Sequence, residues 1–108
     1  MSISQASYED LAKRLAEADC DPGDILVVDV REPDEWADTH LACATNIPAS
    51  AIDSQKGKIP AGEVWLHCAS GARAIRVGQY LSQCRDDLDI KIILDSLHAA
   101  QVANLEMA

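Results

Sequence analysis

Three segments of this sequence are apolar at successive positions, not at alternate ones: Ile25-Leu26-Val27-Val28-Asp29-Val30, Val64-Trp65-Leu66-His67-Cys68 and Ile90-Lys91-Ile92-Ile93-Leu94. A strand of that kind buries both faces, and a sheet of such strands needs helices on its two sides. The helical stripes lie between them. Tyr8, Leu11, Leu15 and Ala18 recur at helical spacing, so residues 7–18 read as an amphipathic helix. Ser7 can cap it, with Asp10 three residues on. Ala74, Val77, Leu81 and Cys84 mark a second helix, with Gly78 on the same stripe allowing close packing. Residues 97–106 suggest a weaker terminal helix, capped by Asp95 or Ser96.

The connections are short. Asp21-Pro22-Gly23 is a turn. Glu32-Pro33-Asp34-Glu35 starts a short helix, with proline early, where its missing N–H matters least. Residues 44–48 suggest a short strand ending at Pro48, and 53–62 a loop. Strands alternating with helices predict an α/β fold: a three-layer domain with a central, mostly parallel sheet flanked by helices. A length of 108 residues makes 1–108 one domain. Ligands of such sheets bind outside the carboxyl ends of the strands.

Charge excludes some functions. Eighteen acids against nine bases give a net charge of −9. That argues against nucleic acid as a partner, and against an anionic membrane surface. No apolar run approaches the ~20 residues of a membrane span. Met1 to Asp10 lacks the basic and apolar regions of a secretory signal, so a cytoplasmic location is expected. Cys20, Cys43, Cys68 and Cys84 form no C-x-x-C pair, so no zinc knuckle or thioredoxin motif is expected, and free thiols are. Neither a metal nor a cofactor is called for.

One constellation carries chemistry. The strand ending at Cys68 runs into Ala69-Ser70-Gly71-Ala72-Arg73, and a helix follows at once. Small residues let successive N–H groups turn inward. The helix start aims its dipole at the same place, and Arg73 adds a cationic fork. Together they make an anion cradle with a thiol at its base, a field that favours the nucleophilic thiolate.

Three motifs resemble those of rhodanese domains, in family order. Val28-Asp29-Val30-Arg31-Glu32-Pro33-Asp34-Glu35-Trp36 is similar to D-x-R-x-x-x-E-[WF]. Thr39-His40-Leu41-Ala42-Cys43-Ala44-Thr45-Asn46-Ile47-Pro48 is similar to G-H-I-x-G-A-x-N-I-P. His67-Cys68-Ala69-Ser70-Gly71-Ala72-Arg73 is similar to the active loop Cys-x-Ser-Gly-x-Arg. The resemblance implies a thiosulfate sulfurtransferase. Cys68 would take sulfur from a small anionic donor, thiosulfate or a persulfide, and hold it as a persulfide. A thiol or cyanide acceptor, a thioredoxin-like protein among the candidates, would then remove it. Backbone N–H groups from Ala69 through Ser70, Gly71 and Ala72 to Arg73 would bind the anion. Asp29 and Arg31 would support the loop. The six-residue span from Cys68 to Arg73 matches sulfur-handling members; related phosphatases and arsenate reductases use one residue more.

The sequence departs from the family at Thr39 and Cys43, where glycine is common, and at Ala74, where a hydroxyl is common. Asp95-Ser96-Leu97 replaces a Gly-Gly turn. A non-catalytic interaction or sensor module on the same fold therefore stays open beside the enzyme. Other residues have plainer readings. His67 alternates with Cys68 and should face away into the core. His40 reads as a hydrogen-bonded scaffold residue. Cys43 reads as a small core residue, with a resolving thiol as the alternative; Cys20, Cys84, Trp36 and Trp65 read as packing. The acidic run from Glu32 to Asp38 reads as a solvated face. The whole charge excess falls in residues 1–54, with twelve acids and three bases; residues 55–108 carry six of each. A macromolecular partner is thus expected to present a basic surface.

Overall fold

A computed structural model describes residues 2–17 and 25–108. Its elements are β1 (Ser2–Ala6), α1 (Tyr8–Glu17), β2 (Ile25–Asp29), α2 (Pro33–Asp38), β3 (Thr45–Asn46), α3 (Ile52–Gln55), β4 (Gly62–His67), α4 (Ala72–Cys84), β5 (Leu88–Ile93) and α5 (His98–Val102). The strands form one sheet of five, every pairing parallel, in the order β1-β5-β4-β2-β3. The two strands with the longest apolar runs before the site, β2 and β4, lie side by side near its middle, as double burial requires.

Two apolar clusters sandwich the sheet. Val28, Val30, Val64, Leu66 and Cys68 face one side, against Ala74, Val77 and Leu81 of α4 and Ile52 of α3. Val27, Trp65 and Ile93 face the other, against Tyr8 and Leu11 of α1 and Ala100 of α5. The three-layer α/β expectation therefore holds. Gly78 allows the close approach anticipated for it: a Cβ there would lie 2.6 Å from Ile92 Cδ1.

Several expectations change. Strand β1 has no counterpart in the sequence pattern, because Ser2-Ile3-Ser4-Gln5-Ala6 contains one large apolar residue. It forms as an edge strand held by β5 alone. Residues 53–62, expected as loop, include part of α3 and a 3₁₀ turn at Lys56–Lys58. The terminal helix is only His98–Val102. Neither Asp95 nor Ser96 caps it with a side chain; Asp95 instead accepts the N–H of Tyr8 at 3.0 Å. Trp36 is half-buried, stacked on His40 with ring centroids 3.6 Å apart, while Trp65 is core as expected. Cys43 and Cys84 are exposed, not packed. Ala18, Cys20 and the Asp21-Pro22-Gly23 turn lie outside the described residues.

The Ser7 cap forms as expected, reciprocally. Asp10 N–H donates to Ser7 Oγ at 3.0 Å, and Ser7 N–H donates to Asp10 Oδ2 at 2.9 Å. It fixes the start of α1, and so the position of Tyr8. The Tyr8 hydroxyl lies 3.1 Å from His67 Nδ1 and 3.3 Å from the Cys68 carbonyl oxygen. His67 is fully buried, with Nε2 unbonded and 3.9 Å from Asp29 Oδ2. Burial pushes its imidazole down to about 4, against the pull of Asp29.

This predicts an acid-sensitive core. The unfolded chain binds the His67 proton near pH 6.5, and the folded chain only near 4, so stability falls as pH drops between them. Urea unfolding should show a loss of about 2 kcal/mol from pH 7 to pH 5, largely abolished in His67→Gln. An equal loss in the variant would contradict this account.

Candidate active site

Strand β4 delivers Cys68 to the carboxyl edge of the sheet. The bond from Val30 N–H to the His67 carbonyl, at 3.0 Å, extends the β2–β4 pairing to that edge. As alternation predicts, His67 and Cys68 face opposite sides. The loop then closes over the sulfur. Gly71 N–H donates to Cys68 Sγ at 3.0 Å. Such a bond strengthens as the sulfur gains negative charge. Cys68 is 1% exposed, so its sulfur sits at the base of the loop, with Ser70 at the surface.

Gly71 is demanded twice. Its φ is 95°, in the left-handed region. A Cβ there would also stand 2.8 Å from the Leu94 carbonyl oxygen. The first intrahelical bond of α4 runs from Ile75 N–H to the Gly71 carbonyl, at 3.0 Å. The N–H groups of Ala72, Arg73 and Ala74 precede it and are free of that ladder. Those of Ala72 and Arg73 belong to the loop segment singled out from sequence, and α4 directs its positive end there.

Three contacts from elsewhere hold the loop. Leu97 N–H donates to the Ala69 carbonyl at 2.8 Å, so the turn after β5 braces it despite lacking paired glycines. The Tyr8 hydroxyl reaches the Cys68 carbonyl from below. Leu94 backs Gly71. Tyr8, Leu94 and Leu97 are site residues that sequence reasoning missed. Tyr8 looked like an ordinary stripe residue, and nothing local links any of the three to Cys68.

Arg73 is placed differently from its expected free fork. Its Nη1 and Nη2 donate to Glu35 Oε1 and Oε2 at 2.5 and 3.0 Å. Glu35 Oε1 also accepts the Glu32 N–H at 3.1 Å, tying Arg73 to the start of α2. The Arg73 bond holds the Glu35 carboxyl down at about 2, well below the usual range. The acidic run is therefore not merely a solvated face: Glu35 pairs with the loop arginine, and Glu32 accepts the Ser50 hydroxyl at 2.7 Å. The glutamate of the first motif was the available signal.

Asp29 and Arg31 form a buried ion pair, with Arg31 Nη2 2.8 Å from Asp29 Oδ2. Arg31 Nη2 also donates to the Thr39 carbonyl at 2.6 Å. The pair thus pins the segment just after α2, the helix that carries Glu35. His40, the expected scaffold residue, bonds the Trp36 carbonyl through Nδ1 at 2.7 Å.

Gly71→Ala is predicted to destabilise the protein by about 2 kcal/mol or more, because strain and a backbone clash coincide. Thermal melting should fall by roughly 10 °C. Ser70→Ala, at an exposed position, should melt within about 2 °C of the parent. Equal melting of all three proteins would refute the described loop.

A model of the rhodanese-like domain family matches residues 7–106. A sulfurtransferase of Allochromatium vinosum is 33% identical over 82 residues, which cover 75% of this chain and 73% of that protein. Among solved structures, a rhodanese-related protein from Thermoplasma volcanium aligns with a TM-score of 0.77 at 20% identity, over 97% of each chain. A thiosulfate sulfurtransferase from Pseudomonas aeruginosa gives 0.77 at 16% identity, over 98% of this chain and 20% of that one. At such identities the structural likeness shows the fold alone; the family model and the Allochromatium relative carry the assignment further. With the three ordered motifs and the Cys68 loop, they establish that the chain belongs to the rhodanese-like domain family.

Proposed function

We propose that this protein is a sulfurtransferase that moves sulfane sulfur from thiosulfate or a persulfide donor to a thiol or cyanide through a persulfide on Cys68. The bond from Gly71 N–H to Cys68 Sγ carries the reading, because it sets a donor on a sulfur held at the residue just before the loop that starts α4. Cys68 thiolate attacks the outer sulfur of the donor. The new S–S bond forms on Cys68, and the donor's own S–S bond breaks with its electron pair leaving on sulfite or a thiol. The acceptor then attacks the same outer sulfur and returns Cys68 to thiolate. Each half-reaction is complete alone, so ping-pong kinetics follow.

Burial of Cys68 suits this chemistry. A persulfide places the transferable atom about 2 Å farther out than the thiol sulfur. Residues Ala69 to Arg73 then face the terminal sulfur, whose charge their N–H groups stabilise. Arg73, held by Glu35, supplies a fixed cation at the rim. The setting we propose is cytoplasmic, where acceptor thiols are reduced; among the described residues no helix is long and apolar enough to cross a membrane.

A non-catalytic module on this fold is the second reading. It draws on Ala74, which offers no hydroxyl near the sulfur, and on Glu35, which fills the Arg73 fork. Steady-state assays with thiosulfate and cyanide separate the two. Thiocyanate should form with parallel double-reciprocal lines and fall by at least about 10³-fold in Cys68→Ser. Thiocyanate formation equal in parent and variant would sink the enzymatic reading and favour the binding module.

A further inference from the structure

Beside the loop lies a cavity that the transfer chemistry above does not use. It is an open depression of about 270 Å³, lined by Ala49, Ile52, Arg73, Arg76, Val77 and Tyr80. Arg73 and Arg76 stand about 4.5 Å apart along the axis of α4, on one face. The other walls are mainly apolar. Charge is distributed unusually there. The chain has nine Lys and Arg against 18 Asp and Glu, and among the described residues seven of the nine lie within 4.0 Å of a carboxylate. Arg73 is matched by Glu35, and Lys56 near Tyr80 by Asp53. Among the described residues Arg76 has no carboxylate partner, and it is exposed. The cavity therefore keeps one uncompensated guanidinium next to the Cys68 loop, in a protein otherwise rich in acids.

We propose that this cavity receives the carboxylate end of a small acceptor thiol, and that Arg76 is the residue that selects it. The proposal rests on the sulfur-transfer reading and narrows its acceptor. A short thiol would lay its methylenes against Ala49, Ile52 and Val77 and set its carboxylate on the planar Arg76 fork, with its sulfur toward the loop that ends at Arg73. The volume suits a tail of a few heavy atoms, since it falls just below the usual range for small-molecule pockets. In the step itself the acceptor thiolate attacks the outer sulfur of the Cys68 persulfide. An S–S bond forms on the acceptor, the Cys68 S–S bond breaks, and its electron pair returns to Cys68. The acceptor leaves as a persulfide, and no oxidant or reductant is consumed.

The test is a single-turnover chase. The protein is loaded with thiosulfate, freed of excess, and its load confirmed by intact mass. It is then chased with 3-mercaptopropionate or 3-mercaptopropionamide, each expressed as thiolate concentration. The parent should prefer the carboxylate by roughly five- to tenfold in second-order rate. That preference should fall toward unity in Arg76→Gln, return in part in Arg76→Lys, and shrink in the parent as salt screens the pair. No preference in the parent, or a preference that survives in Arg76→Gln, would overturn the proposal while leaving sulfur transfer intact. Failure of Cys68 to load, visible before any acceptor is added, would overturn both.

Discussion

Gly71 sits with φ at 95°, the Leu94 carbonyl oxygen 2.8 Å from where a Cβ would stand, and its N–H on the Cys68 sulfur at 3.0 Å. That one bond needs a left-handed residue at the end of β4 and a helix starting immediately after it. It also needs the backbone of β5 close enough to back the turn. The parallel order β5-β4-β2 satisfies the last condition, because it sets Leu94 beside the loop. The Ser7 cap, Tyr8 and Leu97 then fix the loop from the opposite side of the sheet and from the C-terminal turn. What looks like a six-residue motif is held by residues from both ends of the chain.

Electrostatics follow the same geometry. The acids outnumber the bases twofold, yet the excess is confined to residues 1–54. Among the described residues Glu35 is the one of those acids bonded to the loop arginine, and the bond fixes Arg73 while offsetting its charge. The strongest local field on Cys68 then comes from the N–H group at hydrogen-bond range, with the held Arg73 close enough to interact with the thiol. Exposed acids farther off are screened beyond a Debye length of about 8 Å at physiological salt. On the sulfur-transfer function proposed above, a strongly acidic domain can in this way hold an anionic intermediate.

Much of this was legible in the sequence. Runs apolar on both faces announced covered, parallel strands, and Cys68-to-Arg73 announced the loop. Alternation correctly sent His67 to the face opposite Cys68. The failures have physical reasons. An edge strand such as β1 buries one side of few residues, so its pattern stays weak. Residue type alone suggests packing for Cys43 and Cys84, but exposure depends on tertiary placement, and both are exposed. An acidic run on a short helix is usually solvated, and the partner that makes Glu35 an exception is 38 residues away. Tyr8 lies 60 residues before the Cys68 carbonyl that its hydroxyl reaches.

The central claim is that Cys68, under the Gly71 N–H, is the atom that carries sulfur. Mass spectrometry after brief exposure to thiosulfate, with the modified peptide located by digestion, tests it most directly. The account predicts one added sulfur, found on the peptide containing Cys68, absent in Cys68→Ser and removed by cyanide. Sulfur found on Cys43 or Cys84 instead, or no added mass at all, would contradict it.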